Sequence, residues 1–446
     1  MKRNSLLCKK SLPAWLFAGF VLPLQAAPSA GLLDVYQMAV IHDAKIAQQR
    51  AQYQADQQVV ETARSPLLPQ ISADGSYFIN ESDQDFDRGD VNTRTLSLTL
   101  NQSLYDHASW SRYEQAKYSL QQAEFTIREA EQSLIVRTAD AFFKVLLAQE
   151  DVSLSLAQEE ADKIQWERAQ ASAEVGLASR TDVLQAKSSY DLSKSNRINS
   201  ENSLDVAKEE LLKLTGQPVD SLKVLALQVP LPQDELDMAY WEDLAQTNNL
   251  TVKQVEAQLN AAGEEVEVQK SGYWPTAGLQ AKVSDTAYSN YTNSGTTFYS
   301  DNQNTQIGVS VSLPLYSGGG TSSKVSQARY QYQSANQALR DSREQARLNA
   351  RVQVRTVERG QSLIAALREA VNSNRAFLDA AEESYRVGLK SLLEVLTARS
   401  NFFNARRNLV EALHAQVLNR LNLEATVGDL QAEDLAMYDE LLSEPN

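Results

Sequence analysis

VGLASRTDVLQAKSSY, at residues 175–190, recurs as VGLKSLLEVLTARSNF at residues 387–402, and this repetition is the best guide to the fold. The alignment continues without a gap, so that residues 175–216 pair with residues 387–428. So much matching order at one spacing indicates a tandem duplication. Each half of the chain is therefore expected to contain the same structural elements in the same order.

Each half is predicted to run helix, strand, strand and then two helices. In the first half a helix over residues 32–63 is expected to end before Pro66 and Pro69. The predicted divisions are residues 1–26 as a signal peptide, 27–216 as the first repeat with strands at 71–78 and 95–105, 217–240 as a connector, 241–428 as the second repeat with strands at 277–284 and 305–316, and 429–446 as a C-terminal segment.

Alternation of apolar and polar residues marks the four strands. Leu96, Leu98 and Leu100 alternate with polar residues, and the second repeat shows the same period of two. The pattern fits either a half-buried strand of a soluble sandwich or a barrel wall with a lipid face and a polar lumen. Aromatic residues near the strand ends closest to the helices resemble an interfacial girdle and favour the barrel. They are Tyr105, Trp110, Tyr273, Trp274 and Tyr316.

The connections between the strands, residues 81–94 and 287–304, are polar and are expected to be exposed loops. Beyond the strands, residues 107–216 and 321–428 contain no proline and carry apolar residues, many of them alanine, at helical spacing. This pattern is typical of close coiled-coil packing. A helix over residues 109–173 would be about 100 Å long at 1.5 Å per residue.

A helical hairpin of that length has no compact core of its own, and four strands cannot close a barrel. The chain is therefore expected to form an oligomer whose subunits pool their strands. This argument does not fix the number of subunits.

The N-terminal residues have the pattern of a secretory signal. A basic start, an apolar run over residues 12–24 and the small residue Ala26 predict removal of residues 1–26. Cys8 is the only cysteine and lies in that segment, which excludes disulfides and cysteine metal sites from the exported chain.

The formal net charge of −15 excludes a nucleic-acid binder, because the phosphate backbone would be repelled. Further along the chain no apolar run reaches about eighteen residues, so no transmembrane helix is expected. Composition alone leaves three destinations open, namely the periplasm, the exterior and a membrane-inserted barrel.

Three motifs together resemble the TolC family of outer-membrane channels: ARSPLLPQ at residues 63–70, SLPLYSGG at residues 312–319, and the duplicated Val-Gly-Leu turns. The resemblance covers nearly the whole exported chain and implies a mixed α and β membrane protein. Three protomers, with four strands each, would form one 12-stranded outer-membrane β-barrel. The barrel would be continuous with a long periplasmic α-helical coiled-coil barrel, encircled by an equatorial band to which residues 217–240 and the segment after Gly428 contribute.

The resemblance also implies a function. Members are homotrimeric, passive, gated exit ducts of multidrug efflux and type I secretion systems. They open when a periplasmic adaptor and an inner-membrane pump or ABC exporter dock. They need no cofactor and catalyse no reaction.

Residues at the periplasmic end are assigned by the same resemblance. Polar links that hold the family's closed state match Gln165, Thr181 and Asp182 in the first repeat and Tyr385 and Lys390 in the second. The family usually has arginine at the position of Lys390. Lysine keeps the charge but lacks the planar fork of arginine, so the latch is expected to be looser.

The pore constriction is expected at Glu394, where a trimer would place three carboxylates around one axis and could hold a blocking cation. One helical turn further, Thr397 replaces a second acidic residue of the family, so weaker block by multivalent cations is expected. Adaptor docking is expected at the two turns, which comprise Val175, Gly176, Leu177, Val387, Gly388 and Leu389.

An enzyme is not expected, because His42, His107 and His414 are scattered without metal-ligand spacing and no nucleophile motif is present. Two other interpretations remain open from the residues alone. One is a periplasmic coiled-coil scaffold, and the other is an ungated porin.

Overall fold

The structure is a computed structural model that describes residues 29–80, 91–219, 221–226, 236–290 and 298–444. The predicted signal peptide lies outside the described residues. The elements follow one plan twice. The first repeat contains α1 Leu32–His42, α2 Ala44–Arg64, β1 Gln70–Asn80, β2 Val91–Tyr105, α3 His107–Glu174 and α4 Arg180–Thr215. The second contains α5 Met238–Asn248, α6 Leu250–Lys270, β4 Thr276–Asn290, β5 Phe298–Ser312, α7 Gly320–Arg386 and α8 Leu392–Val427.

The long helices are the largest elements. α3 has 68 residues and α7 has 67, so each is about 100 Å long at 1.5 Å per residue. α3 begins where the Asp106 carboxylate accepts a hydrogen bond from the Ala108 backbone N–H at 3.0 Å, which satisfies a donor of the first turn. Each long helix returns as a shorter one of 36 residues, α4 or α8. The two helical hairpins predicted from the sequence are therefore present.

The predicted single helix over residues 32–63 is wrong, because the chain breaks at Asp43. The Asp43 carboxylate accepts a hydrogen bond from the Ile46 backbone N–H at 2.8 Å and pairs with the Arg137 guanidinium at 2.9 Å. Because the Asp43 side chain caps the first turn of α2, the backbone can change direction at this residue and begin a new helix. Asn249 caps α6 in the same way through the Val252 N–H at 3.0 Å, so the break is duplicated too.

One antiparallel sheet has the strand order β1-β2-β4-β5. Apolar side chains of the sheet are exposed to solvent in the single chain, with Ile71 68% exposed, Ile307 74% and Val311 69%. Among the described residues β1 and β5 each pair on one side only. The sheet of a single chain therefore has two free edges.

The observed strands are longer than predicted at their loop ends. β2 begins at residue 91 and β4 and β5 together extend over 285–290 and 298–304, so parts of the predicted loops are strand. Polar residues there still pair through their backbones. The predicted strand over residues 305–316 is wrong at its end, because β5 stops at Ser312 and Pro314 has no N–H to donate to a ladder.

The largest buried cluster lies midway along α3, at Phe142 and Phe143, and includes Leu421 near the C-terminal end of α8. Beside it β3 Val224–Leu225 pairs with β6 Leu442–Ser443, after the short helix α9 Asp434–Asp439. The segments predicted to form an equatorial band therefore meet each other. α5 starts at Met238, three residues before the predicted start of the second repeat at residue 241.

Below this core the helices run side by side in the order α4–α3–α8–α7, because α4 packs on α3, α3 on α8 and α8 on α7. Within the described ranges, no helix carries an apolar stretch long enough to cross a membrane.

Candidate gate and docking tips

Both hairpins end in the same turn. Gly176 and Gly388 adopt left-handed φ values of 78° and 79°, which glycine enters without the steric cost of a Cβ. In each turn the leucine N–H bonds back across the helix end, from Leu177 to Ser172 O at 2.8 Å and from Leu389 to Ser384 O at 2.9 Å. These bonds form the glycine C-cap that closes a helix. The repeated sequence therefore produces a repeated backbone.

The turns present apolar side chains to solvent. Val175 and Leu177 are 69% and 83% exposed, and Val387 and Leu389 are 61% and 81% exposed. The two tips lie side by side, because Ala169, Ala186, Leu392 and Leu396 form one buried cluster just above them. All six residues predicted to dock an adaptor therefore lie together at one end of the molecule. Their docking role stays a prediction.

A capping box follows each turn. Ser179 and Asp182 exchange hydrogen bonds at the start of α4, and Ser391 and Glu394 do so at the start of α8. The Ser179 and Ser391 backbone N–H groups donate to the carboxylates at 3.0 Å and 2.9 Å. The Ser179 hydroxyl and then its N–H lower the pKa of the Asp182 carboxyl, and the Ser391 N–H does most to lower the pKa of the Glu394 carboxyl, because these bonds favour the charged forms.

The second tip carries an additional cation. Lys390 Nζ lies 3.4 Å from the Glu394 carboxylate, which adds to the lowering of its pKa, and 5.1 Å from the centre of the Phe377 ring. The aligned residue of the first tip is Ala178, which carries no charge. The predicted constriction residue is therefore already hydrogen-bonded and ion-paired within its own chain.

The predicted latch residues divide into two groups. Tyr385 packs against two buried clusters, one between α7 and α8 and one that includes residues of α3, α4 and α8. Gln165 is buried, and its side-chain nitrogen has no hydrogen-bond partner among the described residues. Thr181 is exposed, and so is Thr397 of the predicted pore constriction. No hydrogen bond or ion pair within the described chain joins Gln165, Thr181 or Asp182 to Tyr385 or Lys390, so a latch made of these residues would need a second copy.

The same requirement applies to the blocking cation. Within the described ranges of one chain, no three carboxyl, imidazole or thiol groups come together in a metal-binding cluster. A cation at Glu394 would therefore need carboxylates from several copies.

Sequence reasoning missed a buried charge cluster that joins the hairpins about two to four turns above the tips. Arg399 Nη2 of α8 lies 2.6 Å from a Glu382 oxygen of α7, and its Nη1 lies 3.6 Å from Asp162 of α3. Both Arg399 and Asp162 are buried. Burial raises the pKa of the Asp162 carboxyl, and Arg399 opposes this shift. The available signal was the position of Asp162 in the apolar helical repeat of α3.

Comparisons with known proteins agree with this architecture. A family profile described as "Outer membrane efflux protein" matches residues 35–217 and 241–429, one match for each repeat. The outer membrane protein TolC of Escherichia coli K12 is 31% identical, over 98% of this chain and 90% of that protein. The proteases secretion protein PrtF of Dickeya chrysanthemi is 28% identical, over 92% of this chain and 90% of that protein.

A solved structure has the same fold. The outer membrane channel CmeC of Campylobacter jejuni superposes with a TM-score of 0.76 at 14% identity, over 98% of each chain. The resemblance drawn from the sequence and the mixed α and β fold are thus confirmed. Because the profile matches both repeats and the relatives span nearly the whole length, the chain is a member of the outer membrane efflux protein family and is located in the outer membrane.

Proposed function

We propose that the chain is one of three identical subunits of a gated exit duct that serves efflux and type I secretion. The observation that carries this proposal is the separation of two ends in one chain. One end is a four-stranded sheet with free edges at β1 and β5, and the other is a pair of adjacent, exposed apolar tips. Three copies would supply twelve strands for a closed barrel in the outer membrane. The helices would then extend through the periplasm.

The tips supply the docking surface for a periplasmic adaptor, which in turn connects to an inner-membrane pump or ABC exporter. The chain itself catalyses no reaction, and its partners supply the energy of export. One relative is named for protease secretion and the family for efflux. Both unfolded proteins and small amphiphiles are therefore candidate cargo, and the choice between them lies with the pump.

Native mass and conductance test the proposal together. Protein extracted with detergent from outer membranes should have the mass of three chains. In planar bilayers it should conduct weakly alone and strongly once adaptor and pump are added. Steady high conductance without partners would instead identify an ungated porin. Release from cells without detergent would identify a periplasmic scaffold.

The gate is proposed to lie at Glu394, with Lys390 beside it and Thr397 one turn further along α8. Since a single ring of carboxylates holds a multivalent cation less tightly than two rings, block by a trivalent cation should be weak. Thr397→Asp should strengthen the block and Glu394→Gln should remove it, both measured as single-channel current. Tight block that needs Glu394 yet ignores Thr397→Asp would contradict the single-ring interpretation.

Docking is tested at the turn glycines. A Cβ at Gly176 or Gly388 meets no atom within 4 Å, so a larger residue is opposed by the left-handed φ and not by crowding inside the chain. Gly388→Trp should therefore abolish crosslinking to the adaptor while the trimer persists, and Gly320→Ala at the other end of α7, where a Cβ also meets no atom within 4 Å, should leave docking intact. Loss of the trimer in Gly388→Trp would show that the turn is only structural.

A further inference from the structure

A recess with a volume of about 330 Å³ lies between α3, α4 and α8, above the tips. Of the residues that line it, only Leu154 and Phe403 are apolar. Most of the others carry a hydroxyl or a carboxamide group, among them Ser155, Gln158, Asn196, Asn199, Ser203 and Asn404. On each helix the lining residues are three or four positions apart, so each helix contributes one face.

The recess is electrically neutral, although the chain as a whole carries a net charge of −15. Its two charged side chains pair with each other, because Arg407 Nη2 lies 2.9 Å from the Asp151 carboxylate. The Ser155 and Ser200 hydroxyl oxygens lie 2.9 Å apart and join α3 to α4 beside this pair. With its charges paired, the recess favours neither an anion nor a cation.

The carboxamide groups of the recess are available to a ligand. Asn196 and Asn199 are exposed, and their side chains make no hydrogen bond to any other residue that the structure describes. Asn404 Nδ2 has only a 3.5 Å contact with the Ser400 hydroxyl. Each of these groups can donate and accept hydrogen bonds at once. The recess differs from an ordinary solvated surface because three helices bring such groups to one hollow.

The recess adjoins the face of α8 that carries the predicted pore constriction. Exposed residues recur along this face three or four positions apart, at Glu394, Thr397, Asn401 and Asn404. Asn404 therefore lies on the same face as Glu394, about 15 Å further from the tips at 1.5 Å per residue. Since the proposed gate has Glu394 facing the pore, the recess opens into the pore as well.

We propose that this hollow, the carboxamide recess, binds the backbone of an extended polypeptide in transit. The backbone of an unfolded chain is uncharged and presents an N–H donor and a C=O acceptor at almost every residue, which carboxamide groups match. Sites for small apolar ligands are lined mainly by hydrophobic and aromatic side chains, and this lining is mostly polar. The inference rests on the proposed exit duct and selects unfolded protein, from its two candidate cargoes, as the one this site recognises. Hydrogen bonds exchanged with water add little net affinity, so the passing chain is held loosely.

Peptide binding to the full-length protein in detergent tests the carboxamide recess. The probe is a fluorescein-labelled, uncharged peptide of repeated Gly-Asn-Ser units, and its binding is followed by fluorescence anisotropy. Asn199→Leu and Asn404→Leu should each weaken the apparent affinity several-fold, because each removes a donor and an acceptor. The matched control is Asn202→Leu, since Asn202 is an exposed asparagine on α4 that does not line the recess. Its affinity for the peptide should equal that of the unchanged protein.

Three results would overturn the carboxamide recess. One is equal affinity of Asn199→Leu, Asn404→Leu and Asn202→Leu for the peptide. Another is displacement of the labelled peptide by maltoheptaose or cholate as effectively as by unlabelled peptide, because the site would then take a saccharide or an amphiphile. The third is absence of peptide binding to the unchanged protein. If the native mass is nevertheless that of three chains, only the recess is wrong and the exit duct stands. If the native mass is that of one chain, both fail.

Discussion

The two helical hairpins share a backbone but place their charges differently. Both turns have the same hydrogen bonds and the same capping serine, at positions 179 and 391. At aligned positions, however, Lys187 is exposed whereas Arg399 is buried against Asp162 and Glu382. The duplication thus kept what closes each turn and changed what connects the hairpins to each other. The second hairpin supplies the buried cation, Arg399, that connects it to Asp162 of the first.

Removing the buried cation should have the largest effect. Arg399→Leu leaves Asp162 buried without its cation, and such a change costs about 3–5 kcal/mol of unfolding free energy. Lys187→Leu at the aligned position should change it by less than about 0.5 kcal/mol. The unfolding free energies of both variants are measured by denaturant titration, with unfolding monitored by the circular dichroism of the helices. Equal effects would show that the hairpins are equivalent.

Protonation of His414 on α8 should have the next largest effect. Burial lowers the pKa of its imidazole from 6.5 to about 4, and the ring lies 5.1 Å from that of Phe143. As pH falls, the unfolded chain binds the proton first. Stability is therefore full above pH 6.5 and declines by on the order of 3 kcal/mol as pH falls to about 4.

His414→Leu should remove most of this decline when unfolding is measured at several pH values. The aligned residue of the first repeat is Asn202, which is exposed. Asn202→His therefore adds an imidazole whose titration should leave the pH profile unchanged. A decline that survives His414→Leu would assign the pH dependence to other groups.

Replacing the capping serines should have the smallest effect on stability. The two replacements should also differ least from each other. Ser179→Ala and Ser391→Ala each remove a side chain that serves the first turn of α4 or α8, at a cost of about 1 kcal/mol. Because the backbone geometry is the same, the two losses in thermal stability should agree. A much larger loss for Ser391 would mean that its Glu394 partner contributes beyond the cap.

The sequence was sufficient where a regular pattern determines structure. The duplication, the four strands, the paired long helices and the glycine turns all follow from periodicity and from residues such as Gly176. The helix break at Asp43 was missed because an aspartate within a helical pattern is usually a solvated side chain. Here its cap and the distant Arg137 together stabilise a turn.

Burial at particular positions could not be predicted from pattern. Lys187 and Arg399 occupy aligned positions in similar local sequence, and only the packing of α8 on α3 distinguishes them. The roles of Gln165, Thr181, Tyr385 and Lys390 stay predictions for a related reason. The contacts that would define a latch join different copies, and the pattern of one chain does not contain that geometry.

The core around Phe142 and Phe143 has a mechanical consequence for the tips. It lies some 34 residues above Gly176, so α3 below it is a stiff arm of about 50 Å. A tilt of about 10° at that pivot would carry the tip sideways by about 9 Å, with no change inside the helix. A small rotation near the middle of the molecule is thereby converted into a large change in aperture at its end.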